Sequence, residues 1–374
     1  MTFQIPCPAE PGMALSEVDT PALLLDLDAF DTNLQRLDTS LEGKQLRVRP
    51  HAKSHKCPEI ALRQMAHGAV GVCCQKVTEA EAMVAGGIPD VLVSNQVVGP
   101  RKIQRLAALA QRARVSVLAD DADNVDALND AAAKAGVRLN VLVEVNVGAN
   151  RCGVEPGEPA RKLAAVVASS SNLHLRGIHA YQGAAQHVRS ADERRALIER
   201  AVRLVSETLA LLHEDGLECE IVTGAGTGTY LMEAGSDVYN EIQPGSYVFM
   251  DADYARNLAE DGKPFHAFLH SLFVWTTVMS HTNPGRAVVD AGLKALSVDS
   301  GMPLVDEPGA EYLGASDEHG VLRVDDASRY PLGKKIRLIP GHCDPTVNLH
   351  DWIVGYRSDT VESVWPITAR GALY

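Results

Sequence analysis

Between Gln45 and Asp251 the chain repeats one unit eight times: a short apolar, β-branched run followed by a stretch with helical spacing. The runs are Leu46–Lys53, Ala69–Gln75, Asp90–Asn95, Val115–Asp120, Leu139–Asn146, Leu173–Tyr181, Glu218–Gly224 and Asn240–Asp251. Between them apolar residues share one face broadly at helical spacing, as do Ile103, Leu106 and Leu109, or Val202, Leu204, Leu209 and Leu212. Most runs lack strict alternation, as expected of strands covered on both faces. Eight βα units in roughly two hundred residues predict an α/β fold, a (β/α)8 TIM barrel. A doubly wound sheet is the alternative, but no G-x-G-x-x-G follows a first strand.

After Pro264 the texture changes. Ala267–Ser280, Arg286–Asp290, Gly320–Val324, Lys335–Ile339, Trp352–Arg357 and Val361–Ile367 are β-like runs divided by Pro, Gly and Asp turns. They predict a C-terminal, mostly antiparallel β domain. Thr20–Leu27 is strand-like as well and is expected to join it. The division expected is a barrel over 28–255, with 1–27 and 256–374 forming the β domain. A chain of 374 residues suits one large and one smaller core.

Composition narrows the function. Hydrophobic residues make up 46% and charged ones 22%, a globular balance, and no apolar run could span a bilayer. Met1–Glu17 has no basic region followed by an apolar one, so no signal peptide is expected. A net charge of −13 argues against nucleic acid as a partner. The seven cysteines are odd in number and scattered, which suits a reduced, cytoplasmic setting.

Barrel chemistry sits at the carboxyl ends of the strands. Read in order, those ends carry Lys53, Gln75, Asn95, Asp120, Arg151, Tyr181, the loop Thr223-Gly224-Ala225-Gly226-Thr227-Gly228-Thr229, and Gly245-Ser246-Tyr247. Lys53 is flanked by His51, His55 and Lys56, and neighbouring positive charge can push an amine's pKa down until it is nucleophilic. The glycine-rich loop follows the seventh strand, where backbone N–H groups can close around an anion. A lysine and an anion cradle on one rim suggest pyridoxal 5′-phosphate held as a Schiff base. Arg151 could keep that cofactor's phenolic oxygen anionic, and Tyr181 could hydrogen-bond cofactor or substrate.

A second cluster lies in Pro340-Gly341-His342-Cys343-Asp344-Pro345, with His350 and Asp351 beyond it. On an extended segment His342 and Asp344 point the same way and Cys343 points away. One imidazole and one carboxylate suit Mn²⁺ or Mg²⁺. Asp317-Glu318-His319 is a similar group, expected to support that site from outside.

With these residues assembled, the chain resembles the D-threonine aldolase family of fold-type III pyridoxal-phosphate enzymes, relatives of alanine racemase. The resemblance rests on Arg49-Pro50-His51-Ala52-Lys53-Ser54-His55-Lys56, Gly71-Val72-Cys73-Cys74-Gln75, Arg151-Cys152-Gly153-Val154, Ala180-Tyr181-Gln182-Gly183, Gly226-Thr227-Gly228, Gly245-Ser246-Tyr247, Asp290-Ala291-Gly292-Leu293-Lys294 and His342–Asp351. It covers nearly the whole length. It implies an alanine racemase-like architecture, an active site near a homodimer interface, Lys53 joined to the cofactor, Arg151 against it, and a divalent cation on His342 and Asp344.

The activity implied is aldol cleavage of a D-3-hydroxy amino acid, D-threonine giving glycine and acetaldehyde. D-3-hydroxyaspartate, giving glycine and glyoxylate, is the alternative, because that sister activity shares Gly341–Thr346 and Val298-Asp299-Ser300-Gly301. Dehydrating relatives carry H-x-C where this chain has His342-Cys343-Asp344, which favours the aldolase branch. His51, His187 or a metal-bound water is the expected base. The rivals are a racemase or dehydratase on the same scaffold and a non-enzymatic carrier of the cofactor.

Overall fold

In the computed structural model, which describes residues 6–374, the strands divide between two sheets. Strand β1 (Ala22–Asp26) runs directly into helix α1 (Leu27–Ser40), whose first N–H groups bond the Asp26 carboxylate at 3.0 Å. Next come β2 (Arg47–Val48), α2 (Pro58–Ala66), β3 (Val72–Cys74), α3 (Val77–Ala85), β4 (Asp90–Gln96), α4 (Pro100–Leu109) and β5 (Arg114–Ala119). They are followed by α5 (Ala122–Ala135), β6 (Leu139–Glu144), α6 (Glu158–Ser169), β7 (Leu173–His179) and α7 (Ala191–Glu214). β8 (Ile221–Gly224), α8 (Tyr230–Glu233) and β9 (Glu241–Ile242) complete the first half.

Strands β2 to β9 form one parallel sheet in the order β2-β9-β8-β7-β6-β5-β4-β3. Its two ends meet. The Val70 N–H donates to the Val48 carbonyl at 2.9 Å, the Cys73 N–H to the Pro50 carbonyl at 2.8 Å, and His51 bridges Cys73 in parallel register. The sheet therefore curls into the expected barrel. Alternation sorts its side chains: Val91, Val93, Val117, Val141 and Val143 pack under the helices, whereas Cys73, Leu92, Leu118, Leu142 and Ile221 cluster on the opposite face, inside the barrel.

Two predicted strands are shorter than their sequences suggested. Leu46–Lys53 forms a strand only at Arg47–Val48, with His51 adding a single bridge to Cys73, and Asn240–Asp251 only at Glu241–Ile242. Pro50 and Pro244 each lack the N–H that a ladder needs, and each is followed by a 3₁₀ turn, Ala52–Ser54 and Ser246–Val248. Lys53 thus projects from a turn just beyond the strand, not from the strand itself.

The second half contains α9 (Ala252–Ala255), β10 (Leu272–Asn283), β11 (Arg286–Val289), β12 (Leu304–Val305), β13 (Ala310–Ala315), β14 (Gly320–Val324), β15 (Lys335–Ile339), α10 (Cys343–Val347), β16 (Trp352–Arg357) and β17 (Thr360–Pro366). Its nine-stranded sheet runs β13-β14-β11-β10-β1-β16-β17, with β15 on β10 and β12 on β15. β1 pairs antiparallel with β10 and parallel with β16, so Thr20–Leu27 enters this sheet as expected. The sequence reading missed β12, which is two residues long, and β13, whose register breaks between Tyr312 and Gly314.

The corner between β15 and α10 is fastened to the barrel rim. The Ala252 N–H donates to the Pro340 carbonyl at 3.0 Å and the Asp253 N–H to the Gly341 carbonyl at 3.2 Å. The Ala369 N–H reaches the Lys56 carbonyl at 3.0 Å. All seven cysteines are unpaired. Among the described residues no helix is long and apolar enough to cross a membrane.

Candidate active site

The Ala52–Ser54 turn and α10 pack together, bringing Lys53 Nζ to 3.2 Å from Asp344 Oδ2. This contact reverses the expectation for the amine. Asp344 raises the Lys53 pKa, outweighing burial, and the two histidines among the neighbours that were to depress it are themselves silenced. Burial holds His51 far below its ordinary range and brings His55 down to about 4, so both are neutral. Lys56 faces Glu79 at 3.8 Å. Asp344 responds in kind: burial pushes its pKa up, but Lys53 and His342 bring it down to about 2. The sequence motif around Lys53 could not reveal this, because the deciding carboxylate comes from the other half of the chain.

The loop expected to cradle an anion follows β8. Within it the Gly228 N–H donates to Gln186 Oε1 at 3.0 Å, and the Thr229 and Tyr230 N–H groups bond the Gly226 carbonyl. Thr227 Oγ1 is buried without a hydrogen-bond partner. A side chain at Gly226 would collide with Gln186 Oε1 at 2.5 Å, and one at Gly245 with Ser54 Oγ at 2.7 Å. Ser246 is buried beside them. An orphaned hydroxyl, and two glycines where an added Cβ would press on Gln186 and Ser54, on the rim that carries Lys53, fit a phosphorylated pyridoxal.

Arg151 is more than half exposed and lies with its guanidinium 5.7 Å from the centre of the Tyr181 ring. Its Nη2 is 3.9 Å from the buried Glu144, which ends β6 and which the sequence reading passed over. Glu144 also bonds Gln96 Nε2 and stands 3.6 Å from His179 Nδ1. Burial pushes the Glu144 pKa up, yet His179, Gln96 and Arg151 hold it below the ordinary carboxylate range. Asp120, Glu144 and Cys152 lie close enough to share a cation. Arg151 already supplies positive charge there, and Asp120 Oδ2 accepts from the Gly153 N–H at 2.9 Å.

The expected metal ligands sit at the start of one helix, not along a strand. His342 is the extended N-cap of α10, and Asp344 sits in that helix's first turn, so the segment is not a strand. His342 Nδ1 is 2.8 Å from Asp299 Oδ2, which leaves Nε2 as its free ring nitrogen. Cys343 is buried, its N–H donating to Asp251 Oδ2 at 3.0 Å. An imidazole nitrogen beside a carboxylate suits a divalent cation with oxygen preference. His350 turns away to the Ala295 carbonyl at 2.7 Å, and Asp351 pairs with Arg370 at 3.0 Å. Asp317-Glu318-His319 packs on Gly292–Lys294, with Glu318 on Lys294, and not on His342.

Other expected residues divide between the rim and the core. His187 stands in the turn Gly183–His187 with Nδ1 2.5 Å from the buried Asp253 and half its side chain exposed. Gln75 Nε2 donates to Ser94 Oγ at 3.1 Å, and Asn95 Nδ2 to the Gln75 carbonyl at 3.1 Å. Thr223 is fully buried and accepts from Gln243 Nε2 at 2.8 Å, one layer beneath the loop. The Tyr247 hydroxyl accepts from Gln64 Nε2 at 3.2 Å, and its ring packs edge-on to Phe268 in the core. That side chain points into the core, because its ring gains more by joining this cluster than by lining a polar rim.

Comparison with known proteins finds relatives along nearly the whole chain. The family described as alanine racemase, N-terminal domain, matches residues 25–253, and a putative serine dehydratase domain matches residues 271–356. The 3-hydroxy-D-aspartate aldolase of Paracoccus denitrificans is 48% identical over 372 residues, covering 98% of this chain and 96% of that protein. The D-threonine aldolase of an Arthrobacter species is 46% identical over 369 residues, covering 98% and 97%. The crystal structure of D-threonine aldolase from Filomicrobium marinum has a TM-score of 0.95 at 54% identity, covering 98% of this chain and 100% of that one.

Proposed function

Since the chain belongs to the alanine racemase N-terminal family, and within it to the D-threonine and 3-hydroxy-D-aspartate aldolases, we propose that it is an aldehyde-lyase cleaving D-3-hydroxy amino acids to glycine and an aldehyde. The observation that carries this reading is the meeting of Lys53 and Asp344 at 3.2 Å, which puts a rim lysine and a cation ligand at one place. D-threonine is the first substrate of the proposal. D-3-hydroxyaspartate is the second, favoured by near-equal identity to relatives of both kinds.

Lys53 would hold pyridoxal phosphate covalently, with Thr227 Oγ1, Gly226, Gly228, Gly245 and Ser246 around its phosphate and Arg151 and Tyr181 beside its ring. When bound, the cofactor supplies an electron sink for the bond broken at Cα. His342 and Asp344 would hold Mn²⁺ or Mg²⁺, which supplies Lewis acidity toward a hydroxyl oxygen. His187 has the arrangement of a general base: Nδ1 fixed by buried Asp253 and Nε2 free to take the β-hydroxyl proton. His51 is the other candidate; it is buried, and its Nδ1 has no partner. A homodimer in a reducing, cytoplasmic setting completes the proposal, in keeping with the unpaired cysteines.

The test is to incubate the protein with pyridoxal phosphate, Mn²⁺ and either D-threonine or D-3-hydroxyaspartate. Glycine with acetaldehyde or glyoxylate is the expected outcome; keto acid and ammonia would make it a dehydratase. Lys53→Ala should abolish the visible absorption of the bound cofactor. His187→Ala should lower kcat by about 10²- to 10⁴-fold, and unchanged kcat would transfer the base role to His51 or water.

A further inference from the structure

The stretch Val298-Asp299-Ser300-Gly301 has no part in the mechanism above, yet it is built against His342. Asp299 Oδ2 lies 2.8 Å from His342 Nδ1, and Ser300 Oγ lies 3.4 Å from the same nitrogen. The carboxylate is also held by its own loop: Ser297 Oγ donates to Oδ1 at 2.7 Å, and Ser300 Oγ to Oδ2 at 3.1 Å. The loop is also locked to α10. Thr346 Oγ1 accepts from the Ser297 N–H at 3.1 Å and donates to the His342 carbonyl at 2.8 Å. Arg256 reaches over from beyond α9 to bond the Ser300 carbonyl.

The approach depends on two glycines in contact. A Cβ on Gly341 would lie 2.1 Å from the Gly301 carbonyl oxygen, and Gly301 itself has φ +117°. A side chain at Gly341 would push the loop off the start of α10, and one at Gly301 would strain its backbone.

An imidazole has two nitrogens, and the partner of one decides which carries the proton. With Nδ1–H donated to Asp299, the lone pair is left on Nε2, and the ring plane is fixed by the bond. A carboxylate behind a histidine in this way raises its basicity and orients it as a ligand. We infer that Asp299 is a positioning residue for the cation, orienting His342 and fixing its tautomer while itself touching neither metal nor substrate.

This inference rests on the proposal that His342 binds the cation, and the experiment separates the two. Mn²⁺ affinity is measured by titration calorimetry and by the electron paramagnetic resonance of free Mn²⁺, on protein loaded with pyridoxal phosphate. Asp299→Ala should weaken Mn²⁺ binding by about 10- to 100-fold, the range for loss of a partner behind a ligand histidine. Cofactor absorption should be unchanged, since Asp299 is about half exposed and makes no contact with the cradle. Asp299→Asn keeps an acceptor for Nδ1–H without the charge and should recover most of the lost affinity. Should Asp299→Ala bind Mn²⁺ as tightly as the unaltered protein, or Asp299→Asn as weakly as Asp299→Ala, Asp299 does not orient the ring. His342→Ala is the control: undiminished Mn²⁺ affinity there overturns the metal assignment itself, whatever Asp299 does.

Discussion

At the scale of single residues, the barrel depends on one buried cation that precedes Lys53. Arg49 lies inside the barrel, its Nη1 2.7 Å from Asp90 Oδ1 and its Nε 3.1 Å from Glu241 Oε1. Burial works against its charge, but Glu241 and Asp90 hold it firmly protonated. Glu241 is fully buried, so removing the guanidinium strands a carboxylate in low dielectric. Arg49→Ala should cost about 3–5 kcal/mol of stability, read as a lower urea midpoint. A loss under about 1 kcal/mol would mean that solvent or Arg47 replaces the pair. The position of Lys53 just past the first barrel strand was legible in the sequence by contrast, while its charge state was not. Its run of basic neighbours suggested a depressed pKa, and only the fold reveals that Asp344 reverses it. Local sequence carries which residues a turn offers, but not which distant charge will face them.

At the scale of elements, periodicity located all eight barrel strands, and proline truncated two of them. The H-x-D segment departs further from its sequence pattern. Its spacing of two suits a strand, yet Cys343–Val347 is a helix with His342 at its N-cap position and Asp344 in its first turn, so the helix starts between the two residues. Nothing in a five-residue helix is periodic enough to be seen beforehand. The element most exposed to a single change is the β7–β8 seam. Gly177 has φ +141° where the register of β6 on β7 slips, and a Cβ there would lie 1.9 Å from the Ile221 carbonyl oxygen. Bulges of this kind re-aim a strand, and this one lets β8 approach. Gly177→Ala should therefore destabilise by about 1–3 kcal/mol or more. Because β8 feeds the loop that holds Thr227, it should also weaken retention of pyridoxal phosphate during dialysis. A variant with an unchanged urea midpoint would show that the seam yields freely.

At the scale of the whole molecule, the site exists only where the two sheets meet, and the buried titratable groups around it tie stability to pH. Glu233 follows the cradle loop and accepts from Thr229 Oγ1 at 2.9 Å, while its other oxygen has no partner. Burial raises its pKa from 4.5 to about 8. Below 4.5 it is protonated both folded and unfolded; between 4.5 and 8 only the folded state keeps the proton. Stability must then fall as pH rises through that window, by about 1.4 kcal/mol per pH unit where the two states differ fully. His55 has the opposite sign: its pKa drops from 6.5 to about 4, so it removes stability as pH falls below 6.5. Above pH 6.5 His55 is neutral in both states and no longer opposes Glu233. The melting temperature should thus decline from pH 6.5 to 8, and Glu233→Gln, which has no proton to lose, should decline less steeply. Glu79, brought by burial to about 7, contributes with the same sign and accounts for the slope that remains in that variant. Thermal melts of both proteins at pH 6.5, 7.25 and 8 decide it: parallel declines would show that Glu233 is ionised in the folded chain, with water reaching the cradle from behind.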